Sequence, residues 1–218
     1  MSTPPEPPAE RTEEDRPVVA VFDFDGTLTR RDSLLPFLWA TGGPLSFIWN
    51  ATVLLPTLLR YALGTLENSP AKERVLGQFL AGKSVEKIQA VAESFAAEWV
   101  PSLLDPEAMR RLRWHQEQGH ECVLVSASMD VYLDAWGKRE GFSEVICTAL
   151  KEDASGHVSG GIQGGNCYGK EKYRRVLQWQ SGKYLTDTYA YGDSSGDVPM
   201  LTAVKNGYLW KKDKFHSI

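Results

Sequence analysis

The sequence predicts an α/β fold in which a parallel sheet is combined with an all-helical segment inserted after the first strand. Three short apolar runs, each ending in small or oxygen-bearing residues, are separated by helical patterns. Continuous apolar runs of this kind are typical of strands buried on both faces of a parallel sheet. Residues 33–100 contain mainly helical patterns. The length of 218 residues suits one domain with an insertion.

Each predicted strand runs directly into polar residues. The strands are residues 18–22 before DFDGT, residues 121–125 before SAS, and residues 187–191 before GDSSGD. Ligands of open α/β sheets bind outside the carboxyl ends of the strands. We therefore expect these three ends to lie side by side and to form one polar site.

The predicted division of the chain begins with a disordered tail at residues 1–16, which is rich in proline and acidic residues. Residues 17–32 and 101–218 are predicted to form the α/β core, and residues 33–100 a helical cap. The tail has no signal-peptide pattern, and the three cysteines form no close pair, which favours a cytoplasmic location. A net charge of −4 lacks the basic balance typical of nucleic-acid binders, so we expect no nucleic-acid partner.

Two pairs of carboxylates follow the first and third predicted strands. Asp23 and Asp25 are two positions apart, and in an extended segment such side chains point to the same side. Crowded carboxylates are costly unless a cation or a proton compensates them. Asp193 and Asp197 form the second pair, among small residues. Oxygen ligands without histidine or cysteine favour Mg²⁺, which commonly meets a phosphate.

Further polar groups complete a predicted phosphate site. Gly26 allows a close backbone approach, and Thr27 and Ser126 each supply a hydroxyl group. The positive charge is expected from Lys170 or Lys172, and both lysines stay open on this reasoning.

The motifs at these positions resemble those of the haloacid dehalogenase superfamily. They are DFDGT at 23–27, VSAS at 125–128, CYGKEK at 167–172 and GDSSGD at 192–197, in the order of the family. The second aspartate of the first motif resembles the phosphatase-type members. The helical insertion directly after it is similar to that of the phosphoserine-phosphatase-like subgroup, which has a C1 cap. The resemblance implies a Rossmann-like core with a small all-helical cap.

The resemblance also implies a phosphatase that hydrolyses a phosphate monoester through an aspartyl-phosphate. Asp23 would be the nucleophile and Asp25 the general acid and base. Mg²⁺ would bind Asp23, the backbone carbonyl of Asp25, and Asp193, with Asp197 supporting. The alternative is a phosphotransferase that passes the phosphoryl group from the aspartyl intermediate to an alcohol.

The phosphoryl oxygens would be held by Ser126, Gly26, Thr27 and a lysine. The motif of the family places this lysine at Lys172, with Lys170 as the alternative.

The resemblance implies a small-molecule phosphate ester, and a phosphoserine-like ester is one candidate. A lipid phosphate is the other candidate, which comes from the apolar residues of the predicted cap. Asp32 lies where phosphoserine phosphatases place an acidic residue that meets the substrate amine. Arg74 would likewise meet a substrate carboxylate. Both residues equally fit an exposed helix surface.

Residues 33–59 are the least polar part of the predicted cap, because these 27 residues carry no charge. About 18 uncharged apolar residues in a row make a candidate for a membrane-spanning helix, but Gly42–Pro44 and Pro56 interrupt this stretch. Two interpretations stay open. The stretch is the buried core of the cap, or it is a surface that admits a lipid-like phosphate or docks peripherally on a membrane.

Overall fold

The computed structural model describes residues 18–180, 187–211 and 214–218, so the predicted tail at 1–16 lies outside the described residues. Its described strands form one seven-stranded sheet. They are β1 (Val19–Phe22), β2 (Glu121–Met129), β3 (Glu144–Glu152), β4 (Val158–Gln163), β5 (Tyr189–Gly192), β6 (Asn206–Lys211) and β7 (Lys214–Ser217).

The sheet has the order β4-β3-β2-β1-β5-β6-β7. The five inner strands are parallel, whereas β4 and β7 pair antiparallel at the two edges. β1 is central, and its Val21 lies opposite Val123 of β2 and Ala190 of β5. The carboxyl ends of the three strands predicted from the sequence are therefore neighbours.

Side chains of β1 alternate between two apolar layers. Ala20 and Phe22 belong to the larger core cluster, and Val19 and Val21 to the smaller cluster on the other face. All four residues are buried. A strand covered on both faces needs apolar residues at every position, which explains the continuous run in the sequence. The predicted α/β fold class is confirmed.

Eight α-helices surround the described sheet. They are α1 (Leu34–Ala62), α2 (Asn68–Leu80), α3 (Val85–Ser94), α4 (Val100–Leu103), α5 (Pro106–Glu117), α6 (Asp130–Arg139), α7 (Lys170–Trp179) and α8 (Val198–Leu201). A π-helical turn, Phe95–Trp99, joins α3 to α4. Helix α1 is kinked, because Gly43 has φ +71°, outside the helical region, and Pro44 follows it.

Helices α1 to α4 leave the α/β part of the chain and return to it through two paired segments. The Arg30 amide donates to the Leu103 carbonyl at 2.9 Å, and the Asp105 amide donates to the Leu28 carbonyl at 2.8 Å. The side chain of Asp105 then caps α5 by accepting hydrogen bonds from two of its first amides. The two crossing segments thus lie against each other beside the end of β1. The division into core and cap at residues 33 and 100 stays a prediction.

Candidate active site

The ends of β1, β2 and β5 form the floor of a cavity of about 540 Å³. Asp23 directly follows β1, and its amide donates to the Tyr191 carbonyl of β5 at 2.9 Å. Phe24 is buried and packs against Trp136, with ring centroids 4.9 Å apart. Because Phe24 points into the core, the carboxylates of Asp23 and Asp25 on either side of it both lie at the cavity, as their spacing predicts.

The Asp23 carboxylate is fixed by two donors. Lys172 Nζ donates to Asp23 Oδ1 at 2.6 Å, and Thr27 Oγ1 donates to Asp23 Oδ2 at 2.9 Å. Burial raises the pKa of Asp23 to about 8, and the charge of Asp197 adds to the rise, while Lys172 opposes it. The site therefore holds a carboxylate that needs positive charge to stay ionised at neutral pH.

Lys172 joins Asp23 to Asp197. On α7, Lys172 and Val176 are one turn apart and both buried. The Nζ atom of Lys172 lies 2.5 Å from Asp197 Oδ1. Burial by itself would lower the pKa of Lys172, but the charges of Asp23 and Asp197 raise it above its usual value. The side chain is therefore a buried ammonium between two carboxylates.

Asp197 organises the loop after β5. Its Oδ2 accepts hydrogen bonds from the Ser194 hydroxyl at 2.8 Å and from the Ser194 and Asp193 amides at 3.1 and 3.3 Å. Both of its carboxylate oxygens are thus engaged with protein groups. This leaves Asp193 as the carboxylate of the loop that faces Gly26.

Gly26 and Asp193 come into close contact across the site. Gly26 has φ +77°, a conformation that side chains rarely adopt, and a Cβ there would collide with the Asp193 carboxylate. Burial, followed by the charge of Asp197, raises the pKa of Asp193 to about 6. A glycine is therefore required at position 26, because the Asp193 carboxylate lies where a side chain would be.

The donor set fits a hard divalent cation. Carboxylate oxygens of Asp23, Asp193 and Asp197 lie within 4.8 Å of one another. All three groups offer oxygen ligands, which suit Mg²⁺. A bound cation would also reduce the repulsion between these neighbouring carboxylates. Asp197 accepts four hydrogen bonds, whereas each oxygen of Asp23 accepts one and keeps a lone pair that an ion could use. Asp23 and Asp193 are therefore the carboxylates better placed to bind an ion directly.

Asp25 has different partners from Asp23. Its Oδ1 accepts the Ser33 amide at 2.7 Å, and its Oδ2 accepts the Ser128 hydroxyl. Burial raises the pKa of Asp25 to about 6, and the charge of Asp32 adds to this, whereas the serine hydrogen bonds lower it. This carboxyl group is thus held in one orientation and can exchange a proton near neutral pH.

The comparisons with known proteins agree with this geometry. The family described as haloacid dehalogenase-like hydrolase matches residues 20–202. The chain belongs to this family. Protein CicA of Caulobacter vibrioides is 38% identical over 194 residues, which cover 88% of this chain and 86% of that protein. A probable phosphatase of Mycobacterium tuberculosis is 26% identical over 97% of this chain and 75% of its own length.

A solved structure of a substrate-bound phosphoserine phosphatase shares the fold of this hydrolase. Its TM-score is 0.62 at 16% identity, over 87% of this chain and 84% of that chain. The resemblance predicted from the four motifs is therefore confirmed.

Most of the residues predicted for phosphate binding in this hydrolase lie at the cavity. Gly26, Ser126 and Lys172 line it, whereas Lys170 is exposed at the first turn of α7. Thr27 differs from the prediction, because its side chain is fully buried and its hydroxyl is used on Asp23. It positions the carboxylate and does not face the cavity.

The two predicted specificity residues have different positions in this hydrolase. Asp32 lines the cavity, but its Oδ1 also accepts the amides of Leu34 and Leu35 and so caps α1. Arg74 is exposed and lies outside the described cavity lining. The expectation that Arg74 meets a substrate carboxylate stays a prediction, and the exposed position of Arg74 on α2 matches the alternative of a helix surface.

Lys72 is a site residue that the sequence reasoning missed, as are Ser33 and Ser128, the partners of Asp25. Lys72 lines the cavity and donates to the Ala127 carbonyl and, at 3.4 Å, to Asn166 Oδ1. Burial lowers its pKa to about 8, although the charges of Asp25 and Asp32 raise it. Two cationic side chains, Lys72 from α2 and Lys172 from α7, therefore flank the carboxylates.

Proposed function

We propose that this hydrolase is a Mg²⁺-dependent phosphatase that hydrolyses a phosphate monoester through an aspartyl-phosphate on Asp23. The observation that carries the proposal is the fixed Asp23 carboxylate, held by Lys172 and Thr27 at a cavity floor beside the separately oriented Asp25. The name of the probable phosphatase of Mycobacterium tuberculosis supports the same reaction class.

In the first step, a carboxylate oxygen of Asp23 attacks phosphorus and the bond from phosphorus to the ester oxygen breaks. The Asp25 carboxyl group gives its proton to the departing alkoxide. Its pKa of about 6 supports this role, because a useful fraction is protonated near neutral pH. The products of the step are a free alcohol and an acyl phosphate on Asp23.

In the second step, water attacks the phosphorus of the acyl phosphate and its proton passes to the Asp25 carboxylate. The bond between phosphorus and the Asp23 oxygen breaks, which returns inorganic phosphate and the original carboxylate. The hydrogen bonds from Ser33 and Ser128 hold Asp25 in place for both transfers.

Positive charge has to offset the negative charge of the phosphoryl group in both steps. Lys172 supplies it from the protein, and the hydroxyl of Ser126, in the carboxyl-terminal half of β2, is a further hydrogen-bond donor at the cavity. Asp23, Asp193 and the backbone carbonyl of Asp25 would hold Mg²⁺. When bound, the ion reduces the repulsion between the carboxylate and the phosphate dianion.

Chemical trapping tests the intermediate. Borohydride reduces an acyl phosphate to the alcohol, so quenching a turnover of p-nitrophenyl phosphate with borohydride should convert residue 23 to homoserine, as read by peptide mass spectrometry. The Asp23→Asn variant is the control and should show no conversion. Turnover without any trapped residue 23 would contradict the proposal.

The same assay separates hydrolysis from transfer. With an added alcohol, a phosphatase yields inorganic phosphate in the same amount as p-nitrophenol. A deficit of phosphate matched by a new phosphate ester would identify a phosphotransferase.

A further inference from the structure

Helix α1 packs against α2 along one side only. Phe47 lies against Phe79 with ring centroids 5.4 Å apart, and Asn50 Oδ1 accepts a hydrogen bond from Gln78 at 2.9 Å. Two turns beyond the buried Leu54, the hydroxyl of Tyr61 accepts a hydrogen bond from α2 at 3.1 Å. We call this side of α1 its inner face. Its residues already contact α2, and they make up only part of the uncharged stretch.

The opposite side of α1 is also apolar, and it is exposed. The side chains of this outer face are Leu45, Ile48, Trp49, Val53, Leu55 and Leu59. Leu45 is 84% exposed and Trp49 is 68% exposed. A helix that is apolar on all sides is normally buried in protein or in lipid, and contiguous exposed apolar patches mark interaction surfaces. Of the two interpretations left open for residues 33–59, a buried cap core alone does not describe this exposed face.

The part of α1 that carries the outer face also borders the mouth of the active-site cavity, through residues on its α2-facing side. Leu58 and Tyr61 of α1 are partly exposed and line the cavity that has Asp23 at its floor. Arg30 and Arg31 line the same cavity and are exposed. A molecule with an apolar tail and an anionic head would therefore find apolar contacts along α1, cations at the mouth and the carboxylate below.

We propose that the outer face of α1 docks on an anionic lipid bilayer, and that the substrate is a phosphate monoester of a membrane lipid. The substrate part rests on the proposed phosphatase activity, whereas the docking part stands by itself. Arg31 and Arg30, the latter 3.6 Å from Asp105, line the cavity mouth together with Leu58 of α1, and cations near an exposed apolar helix are the combination by which peripheral helices bind anionic membranes. Trp49 on the outer face is a residue type that favours the membrane–water interface.

A peripheral position fits the geometry better than a membrane span. Helix α1 is long and apolar enough to cross a membrane by length and composition. However, its inner face is packed on α2, and Lys83 of the following turn donates to the Thr41 carbonyl at 2.9 Å. A spanning helix would have to give up these contacts. Docking through the outer face keeps them and leaves the cavity mouth at the lipid surface.

Vesicle sedimentation tests the docking. The full chain is mixed with vesicles of phosphatidylcholine, with or without phosphatidylglycerol, and the bound fraction is measured at increasing salt. We expect binding that is stronger with phosphatidylglycerol and that weakens with salt. Replacing Ile48 and Trp49 together by lysine should weaken binding at least about tenfold.

The matched control adds lysine to an exposed apolar position elsewhere. Leu177→Lys on α7 adds one positive charge, as the outer-face variant Leu45→Lys does, and should bind vesicles as the unchanged chain does. Leu45→Lys is a second outer-face variant at the most exposed position, in case the double variant does not fold. Unchanged hydrolysis of p-nitrophenyl phosphate, with circular dichroism, verifies that each variant is folded.

Turnover of lipid and soluble esters tests the substrate class. Phosphatidate in vesicles should be hydrolysed with a higher kcat/KM than glycerol phosphate or phosphoserine, and the outer-face variants should lose only the turnover of phosphatidate. If no ester at all is hydrolysed but vesicles bind, the proposed function fails and the docking stands.

Two results would overturn the docking proposal. One is the absence of vesicle binding by the unchanged chain while p-nitrophenyl phosphate is hydrolysed. The other is sedimentation as a dimer that Leu45→Lys converts to a monomer with no vesicle binding, because the outer face would then be covered by a second copy. Turnover of phosphoserine above that of phosphatidate would overturn the substrate class alone.

Discussion

Replacing Lys172 by methionine should destabilise the protein and remove its activity together. The change deletes the ammonium that lies 2.6 Å from Asp23 Oδ1 and 2.5 Å from Asp197 Oδ1. The Lys172 side chain is 4% exposed, and the two carboxyl side chains are 6% and 1% exposed. Water therefore cannot take over the role of the lost cation.

The expected loss follows from the burial of the pair. Removing one partner of a buried ion pair costs about 3–5 kcal/mol, because the remaining charge is left uncompensated. For a chain of this size each kcal/mol lowers Tm by about 2–4 °C, so Tm should fall by about 6–20 °C. Without Lys172 the pKa of Asp23 rises further, because the cation that opposes the effect of burial is gone, and the variant loses stability as pH rises from the ordinary carboxyl value toward that raised pKa. The loss in the free energy of unfolding, relative to the unchanged protein, should therefore be larger at pH 8 than at pH 5.

Urea unfolding at both pH values, together with kcat/KM for p-nitrophenyl phosphate, measures these effects. Lys170→Met is the matched control, since Lys170 is exposed two residues earlier, and it should change neither quantity. Adding Asp197→Asn to Lys172→Met removes one uncompensated carboxylate and should recover part of the stability but none of the activity. Activity that survives Lys172→Met and is lost in Lys170→Met would refute the reasoning.

Three further results are expected. Asp23→Asn should lower kcat/KM at least about a thousandfold, since the amide cannot attack phosphorus, and substantial activity of verified asparagine protein would contradict this. EDTA should stop turnover and Mg²⁺ restore it, with Asp193→Ala raising the Mg²⁺ concentration required; full activity in metal-free buffer would contradict the site. Burial lowers the pKa of His115 from 6.5 to about 3, so the unfolded chain binds the extra proton between these values, and stability should fall by about 1.4 kcal/mol per unit as pH drops below 6.5. In urea unfolding, His115→Asn should lack this slope.

The sequence identified the strands that are covered on both faces and missed those that are not. β1, β2 and β5 are mostly buried and read as continuous apolar runs before the motifs. β3 is exposed at both ends, and β4 alternates buried with exposed residues and contains two glycines. Such half-covered strands, at or next to the edge of the sheet, have no continuous buried run that separates them from loops. The same reasoning applies to β6 and β7 at the other edge, where most residues are partly exposed.

Some site residues can be predicted from local sequence patterns, whereas others are identified only by the tertiary structure. Asp23, Asp25 and Asp193 were found because carboxylates at strand ends are unusual in sequence. The partners of Asp25 were not found, since the Ser33 amide and the Ser128 hydroxyl reach it from other segments. A serine has no pattern that shows which carboxylate it will contact, so only the fold provides this pairing.

Helical spacing in the sequence could have indicated that Lys72, and not Arg74, lies on the buried face of α2. Lys72, Leu76 and Phe79 are spaced i, i+4 and i+7, so they share a face of α2, and Leu76 and Phe79 are buried. Arg74 falls on another face and is exposed. A lysine on a buried face is costly unless oxygen atoms surround its ammonium. Those oxygens belong to Ala127 and Asn166, far along the chain, so spacing predicts that Lys72 points inward, and only the tertiary structure brings it to the cavity.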